Sequence, residues 1–312
     1  MAKRRKKKTN PALPKWAVTV FAVIAVVLSI FTFGGDLIGI DTSFAQQAMD
    51  FIDRILYGGP TGPTPSLPVS GQVKVIDVGQ GESILVTTDQ SSLLIDAGEN
   101  DKGDEVLEFL DQLGLEKLDY VIATHPDADH IGGMDTVLQN IEVTDGVFFG
   151  YLPDKLIPTT KTYEDLLDVI EQKNLDLSLL RAGDTLDLGS GAVLSVLGPV
   201  TEEIDSKNNG SVVSRLDFGE TSFLFNGDQE KEMEKLLLQS GADLDCDMMT
   251  MGHHGSSTSS TQEYLDAVTP EYASISCGKG NKYNHPHKET IQKLEQMDVE
   301  YYRTDLSGNI TF

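Results

Sequence analysis

The sequence predicts an α/β protein: two mixed β-sheets packed face to face beneath covering helices, an αββα sandwich, preceded by one transmembrane helix. Three observations carry this. An uncharged run of 18 residues, Trp16 to Phe33, stands behind a basic tail. From Gln72 onward, short strand-like runs alternate with stretches of helical period. One of those strands runs straight into His125-Pro126-Asp127-Ala128-Asp129-His130, where two imidazoles and two carboxylates crowd six residues.

The segments follow in order. Residues 1–15 hold seven Lys and Arg and no acid; without them the chain keeps 17 basic against 49 acidic residues, a balance of −32. Such a split places the two ends in different environments. As a helix the apolar run would span about 27 Å, close to a bilayer core of roughly 30 Å. It continues uncharged through Gly35, so residues 16–35 are expected to be the anchor. The basic flank keeps the N-terminus in the cytoplasm and directs everything after Gly35 outward. A cleaved signal peptide is the competing reading, but the Ser-Phe-Ala before Gln46 lies far beyond the apolar run. The expected location is therefore the cell membrane, single-pass, with the folded domain extracellular. Residues 36–57 form a juxtamembrane segment. Residues 58–71 carry four prolines among Gly, Thr and Ser, and predict an extended linker.

The domain proper is expected over 72–312. Strands are predicted at Val73–Val78, Ser83–Thr88 and Ser92–Ala97, a helix at Asp104–Leu113, and a strand at Leu118–Thr124. Helices at Ile131–Leu138 and Tyr163–Gln172 come next, then strands around Leu186, Val193, Val212 and Phe223. The end alternates: helix 229–239, strand 247–251, helix 261–268, strand 272–277, helix 288–297, strand 299–303. Two mixed sheets covered by helices accommodate this order. Cys246 and Cys277 sit in apolar runs and read as buried free thiols.

Side chains two apart in an extended segment point the same way, so His125, Asp127 and Asp129 can converge, with His130 turning in as a helix begins. Two carboxylates and two imidazoles at close range require a compensating cation. The motif resembles the HxHxDH signature of the metallo-β-lactamase superfamily, with Asp127 in place of the second His. "THPDADHIGG" is more closely similar to the hydrolase domain of ComEC-type DNA-uptake (competence) proteins and their stand-alone relatives. The resemblance runs in order through "VIDVGQGESILV", "LLIDAG", "NNGSVVSRLDFGETSFLFNGD", "MGHHGSSTSS" and "GNKYNHPH". It implies a metallo-β-lactamase sandwich holding two divalent metal ions, Zn or Mn.

One ion would be held by His125, Asp127 and Asp228, the other by Asp129, His130, Asp228 and one of the His253–His254 pair, with His254 preferred. Asp129, His253 and His285 are the catalytic candidates. Asp96 would orient the metal loop, with Asn209 also in the outer layer. Tyr283, Lys279 and His287 are possible substrate contacts. Plainer roles compete: a helix N-cap for Asp228, a surface turn held by Pro286 for His285 and His287, a solvated loop for Lys279. Two departures stand out. No His lies between His130 and Asp228, where the superfamily usually supplies one; Asn209 and Ser211 stand there instead. That half is oxygen-rich and short of a strong ligand, which favours a harder ion or weaker occupancy. Asn284 replaces the relatives' usual Gly and would have to supply positive φ.

The expected activity is metal-dependent hydrolysis by an ion-activated hydroxide, most simply of a phosphodiester, with DNA as one substrate. The −32 balance opposes capture of a polyanion. Only one apolar span is present, so the channel domain of the DNA-uptake proteins is not expected within this chain. Alternatives are a cell-surface phosphodiesterase of phosphocholine or teichoic-acid type, and a non-catalytic metal-binding module. A β-lactamase fits the ligand set less well. The membrane, through the N-terminal helix, is the expected partner; no obligate protein partner is evident.

Overall fold

The computed structural model describes residues 71–312. The basic tail, the anchor, the juxtamembrane segment and the linker up to residue 70 lie outside the described residues. Among the described residues no helix is long and apolar enough to cross a membrane.

The first sheet is built from β1 (Gly71–Val75), β2 (Ile84–Thr88), β3 (Ser92–Ile95), β4 (Lys117–Ala123), β5 (Glu142–Gly150), β6 (Leu177–Leu180) and β14 (Ile310–Thr311). Its order is β14-β1-β2-β3-β4-β5-β6. The second holds β7 (Thr185–Asp187), β8 (Ala192–Gly198), β9 (Val213–Phe218), β10 (Thr221–Phe225), β11 (Met248–Thr250), β12 (Tyr272–Ile275) and β13 (Glu300–Arg303), ordered β13-β12-β11-β10-β9-β8-β7. Both sheets are mixed. Antiparallel pairing joins β1 through β3 and β7 through β10, and parallel pairing joins β3 through β6 and β10 through β13.

Period-2 alternation explains the layering. Val73, Val75, Ile84, Val86, Leu93 and Ile95 meet Leu194, Val196, Leu216, Phe223 and Phe225 between the sheets. The residues between them turn the other way: Leu85, Leu94 and Val121 pack under helices on one side, and Leu224, Met249 and Ala273 on the other. Strands buried on both faces read as near-continuous apolar runs. The covering helices on the first sheet are α1 (Gly103–Gln112), α2 (Ala128–Ile131), α3 (Met134–Asn140) and α4 (Lys161–Gln172). On the second they are α5 (Lys231–Ser240), α6 (Gln262–Val268) and α7 (Lys288–Gln296); a last turn, α8 (Thr304–Ser307), precedes β14. Thr160 and Thr261 cap α4 and α6 by accepting from Tyr163 N and Tyr264 N.

Three strands escaped the sequence pattern. In β5 a Thr-Asp-Gly interruption, with Gly146 at φ 124°, breaks the alternation before buried Val147 and Phe149. β6 is an edge strand whose Leu177 and Leu179 are exposed. β14 has two residues. The helix expected over 131–138 is instead two, α2 and α3, separated by Gly132 and Gly133. The first strand stops at Val75, ahead of a bend over residues 79–81 in which Gly79 and Gly81 have positive φ.

Candidate metal centre

The cluster assembles where β3, β4, β10, β11 and β12 end at their C-terminal edges, so both sheets contribute. β4 delivers Thr124 and His125. Asp127, in extended backbone at φ −80° and ψ 147°, opens α2, whose single turn presents Asp129 and His130. The helical turn, rather than an extended alternation through Asp129, therefore brings in the last two side chains. Asp96 follows β3 at φ 58°. Asp228 follows β10, and the α5 N-cap is Glu230, so Asp228 does not spend its carboxylate as a cap. His253 and His254 follow β11, both left-handed at φ 51° and 55°. Two non-glycine residues held there cost on the order of 1–3 kcal/mol each, strain that concentrates at functional sites.

The donor atoms fall into two groups that share Asp228. In the first, His130 Nε2 lies 3.2 Å from Asp228 Oδ1 and 3.2 Å from His254 Nε2. His254 Nε2 lies 3.3 Å from Asp129 Oδ2 and 3.5 Å from Asp228 Oδ1. In the second, His125 Nε2 lies 3.7 Å from Asp127 Oδ2 and 3.8 Å from Asp228 Oδ2. The other oxygen of Asp228 thus faces the other group. His253 Nε2 stands 3.6 Å from this same Oδ2.

The outer partners fix which ring nitrogen faces inward. His130 Nδ1 pairs with Asp96 Oδ2 at 2.6 Å, and Asp96 also accepts from Thr124 N at 2.8 Å and Thr124 Oγ1 at 2.6 Å. His254 Nδ1 donates to the Ser276 carbonyl at 2.9 Å. With Nδ1 committed on both rings, the two Nε2 atoms face each other between carboxylates. Ser211 Oγ accepts from Asp228 N at 3.1 Å. His125 Nε2 is buried without any hydrogen-bond partner among the described residues. Facing nitrogens, converging carboxylates and an orphaned imidazole form a donor set that a divalent cation completes; these residues fit the metal the motif implies.

Charge follows from burial and neighbours. Burial, then the nearby His130, pushes His125 down to about 4, leaving it a neutral donor. Burial opposes charge on His130 and His254, yet Asp228 and the other carboxylates outweigh it and hold both above their ordinary value. Burial raises Asp228, and the His254 and His130 charges overcome that and hold it well below the usual range. Beneath the cluster, Glu82 is pushed up to about 7, chiefly by burial.

A cavity of about 370 Å³ opens above the centre, lined by Asp127, Asp129, Asp228, His253, His254, Tyr283 and His285, with Gln80, Glu99, Asn208 and Lys282 at its margin. His285 is 8% exposed, its Nδ1 is unpartnered, and burial with the surrounding imidazoles holds it down to about 4. Tyr283 stacks on it, ring centres 5.5 Å apart. Asn281 clamps the loop, taking His285 N and donating to its carbonyl. Asn284 has the positive φ expected, 61°. His287 is tied instead to Ser257 N and the Tyr283 carbonyl, as a turn residue. Lys279 is exposed and outside the cavity lining; Lys282 occupies that place. Asn209 serves the loop itself, joining Asp205 and Glu230 N. Glu82, Thr124 and Ser276 went unread because buried polar partners carry no periodic signal; Ser211, read as standing where a superfamily His is missing, instead accepts from Asp228 N. Lys207, the one base in "EEIDSKNNG", was a readable signal. Cys246 and Cys277 are buried free thiols, both pushed up to about 12 by burial.

A profile of the Metallo-beta-lactamase superfamily matches residues 76–279. ComE operon protein 3 of Bacillus subtilis is 32% identical over 266 residues, covering 80% of this chain and 34% of that protein. Competence protein ComA of Neisseria gonorrhoeae is 31% identical over 246 residues, covering 77% of this chain and 32% of its own length. The chain thus spans about a third of the length of these relatives. Among solved structures, the metallo-beta-lactamase fold protein YhfI from Bacillus subtilis aligns with TM-score 0.50 at 13% identity, over 78% of this chain and 99% of that one. The last likeness concerns the fold alone.

Proposed function

The chain belongs to the metallo-beta-lactamase superfamily, and from that premise we propose that it is a membrane-anchored, outward-facing phosphodiesterase working with two divalent ions, Zn or Mn. The observation that carries the reading is Asp228, whose Oδ1 faces His130 and His254 while its Oδ2 faces His125. A carboxylate so placed could serve both halves of a two-ion centre. His125, Asp127 and Asp228 would hold one ion, and Asp129, His130, His254 and Asp228 the other. Divalent ions held there would acidify a water and offset charge developing on a phosphoryl oxygen.

The rest is the work of this chain's own groups. Asp96 and the Ser276 carbonyl hold the imidazoles in one tautomer, and Ser211 steadies the bridge. His285 faces the cavity neutral, so it serves as a hydrogen-bonding group to the leaving oxygen rather than as a charged acid. Lys282 brings positive charge to the rim for a phosphate. The anchor (16–35) and linker (58–71) would hold the domain (72–312) outside the cell.

A second reading, a phosphocholine or teichoic-acid-type phosphodiesterase, is favoured by the rim. The Tyr283 ring already takes a cation on its face, with Lys282 Nζ 4.9 Å from its centre, and an acidic surface suits a cationic headgroup better than a polyanion. A metal-reconstituted screen separates them, using bis-p-nitrophenyl phosphate, single- and double-stranded DNA, phosphocholine esters and nitrocefin. Turnover of bis-p-nitrophenyl phosphate is expected. DNA cleavage selects the nuclease, and phosphocholine release the second reading. Nitrocefin turnover alone, or metal binding without turnover of anything, overturns the proposal.

A further inference from the structure

We propose that Lys207 is a tethered cation that competes with a metal ion for Asp127, so that the two halves of the centre fill unequally. The inference rests on the two-ion reading above and concerns how that centre is loaded.

The half around His130 is already spaced for an ion. Its neighbouring donor atoms lie 3.2, 3.2, 3.3 and 3.5 Å apart. A tetrahedral ion with bonds of roughly 2.0–2.2 Å sets its donors about 3.3–3.6 Å apart. Two imidazoles and two carboxylates meet that requirement with little movement.

The half around His125 is different in three ways. Its donors stand wider, at 3.7 and 3.8 Å from His125 Nε2. No further ligand arrives from the segment before Asp228, because Asn209 is bonded to Asp205 and Glu230 N, and Ser211 to Asp228 N. A positive charge is already there: the Lys207 ammonium is bonded to Asp127 Oδ1, while Asp127 Oδ2 faces His125.

Lys207 is the residue before the 3₁₀ turn Asn208–Gly210, and its neighbour Asn208 and its partner Asp127 both line the cavity. Its side chain is 36% exposed, so it can leave Asp127 without breaking the fold. A bare Asp127 would add a third carboxylate to the cavity that Asp129 and Asp228 already line, without the His130 and His254 neighbours that offset those two. A tethered ammonium offsets that charge while the half is empty. The same ammonium repels an incoming dication and must be displaced for Asp127 to ligate. A lysine in this position therefore lowers the affinity of one half and leaves the other untouched, acting on the ion through Asp127 as a positioning residue.

The test is calorimetric titration with Mn²⁺ of the full-length chain, purified in detergent and stripped by chelator, with elemental analysis after desalting. The wild-type chain should retain one ion through desalting and take the second in a separate, weaker step. Lys207→Gln should tighten the weaker step by about 10–100-fold, the range that outer partners of a metal site command, and leave the tight step unchanged. Lys207→Arg keeps the charge and should titrate as wild type. Asp127→Asn should abolish the weak step, and adding Lys207→Gln to it should change nothing. Loss of a merely structural contact would not raise an affinity. An unchanged or weakened second step in Lys207→Gln overturns the proposal alone, as does tightening of the first step. A chain that takes up no ion at all overturns the two-ion reading and this proposal with it.

Discussion

Asp228 offers one oxygen to each half of the centre, so a change at this single side chain should reach both. Asp228→Asn keeps the shape and removes the charge; an amide is a poor bridge between two cations. Both ions should be lost, and phosphodiesterase activity with them. His287→Ala should leave metal content unchanged, because that ring is bonded to Ser257 and the Tyr283 carbonyl. Asp96→Asn should fall between, costing about 10–100-fold in affinity or activity, since it acts through His130 and Thr124. Elemental analysis and rate on the same samples decide the series. Retention of both ions by Asp228→Asn would remove the bridge, and loss of an ion in His287→Ala would move a ligand into the 284–287 loop. Ligand candidates were legible at this scale because His and Asp at motif spacing have few other reasons to crowd together. Thr124 and Ser276 were not, because their roles depend on which distant carboxylate or imidazole the fold sets beside them.

The junction between β4 and α3 shows why an element can matter more than its residues. Four side chains must leave one strand and turn inward within six positions, and the chain does this by breaking the expected helix at Gly132 and Gly133. A methyl group on Gly133 would lie 2.4 Å from the Ala97 carbonyl oxygen and 2.6 Å from Gly103 N, so the backbone of the α1 entry or of the metal loop would have to shift. Gly133→Ala should cost about 1–3 kcal/mol, the usual penalty for overpacking. It should also loosen metal binding, because the loop that moves carries Asp129 and His130. Thermal unfolding and metal content measure the two effects; a variant with the wild-type midpoint and full metal would show that the close approach is not required. The doubly buried strands β1 to β4 were readable as apolar runs. β5 and β6 were missed where an internal Gly or an exposed edge removes the alternation on which such reading depends.

For the whole molecule, the charge asymmetry bears on the proposal that a membrane separates the basic tail from the domain. The basic tail, residues 1–15, stands on one side of the apolar run, and the balance of −32 lies beyond it. Moving Lys and Arg clusters outward is unfavourable, whereas acidic domains cross with little effect on orientation. This asymmetry was legible without any structure, since it depends on composition and not on packing. Two reporters fused after Phe312 test it. One that works only in the cytoplasm should be silent, and one that works only outside should be active. Replacing the bases among residues 3–8 with neutral residues should weaken that preference, because on this proposal they are the charges that would hold the tail inside. Strong activity of the cytoplasmic reporter in the wild-type chain would place the metal centre inside the cell and end the case for an extracellular substrate, while leaving the geometry around Asp228 untouched.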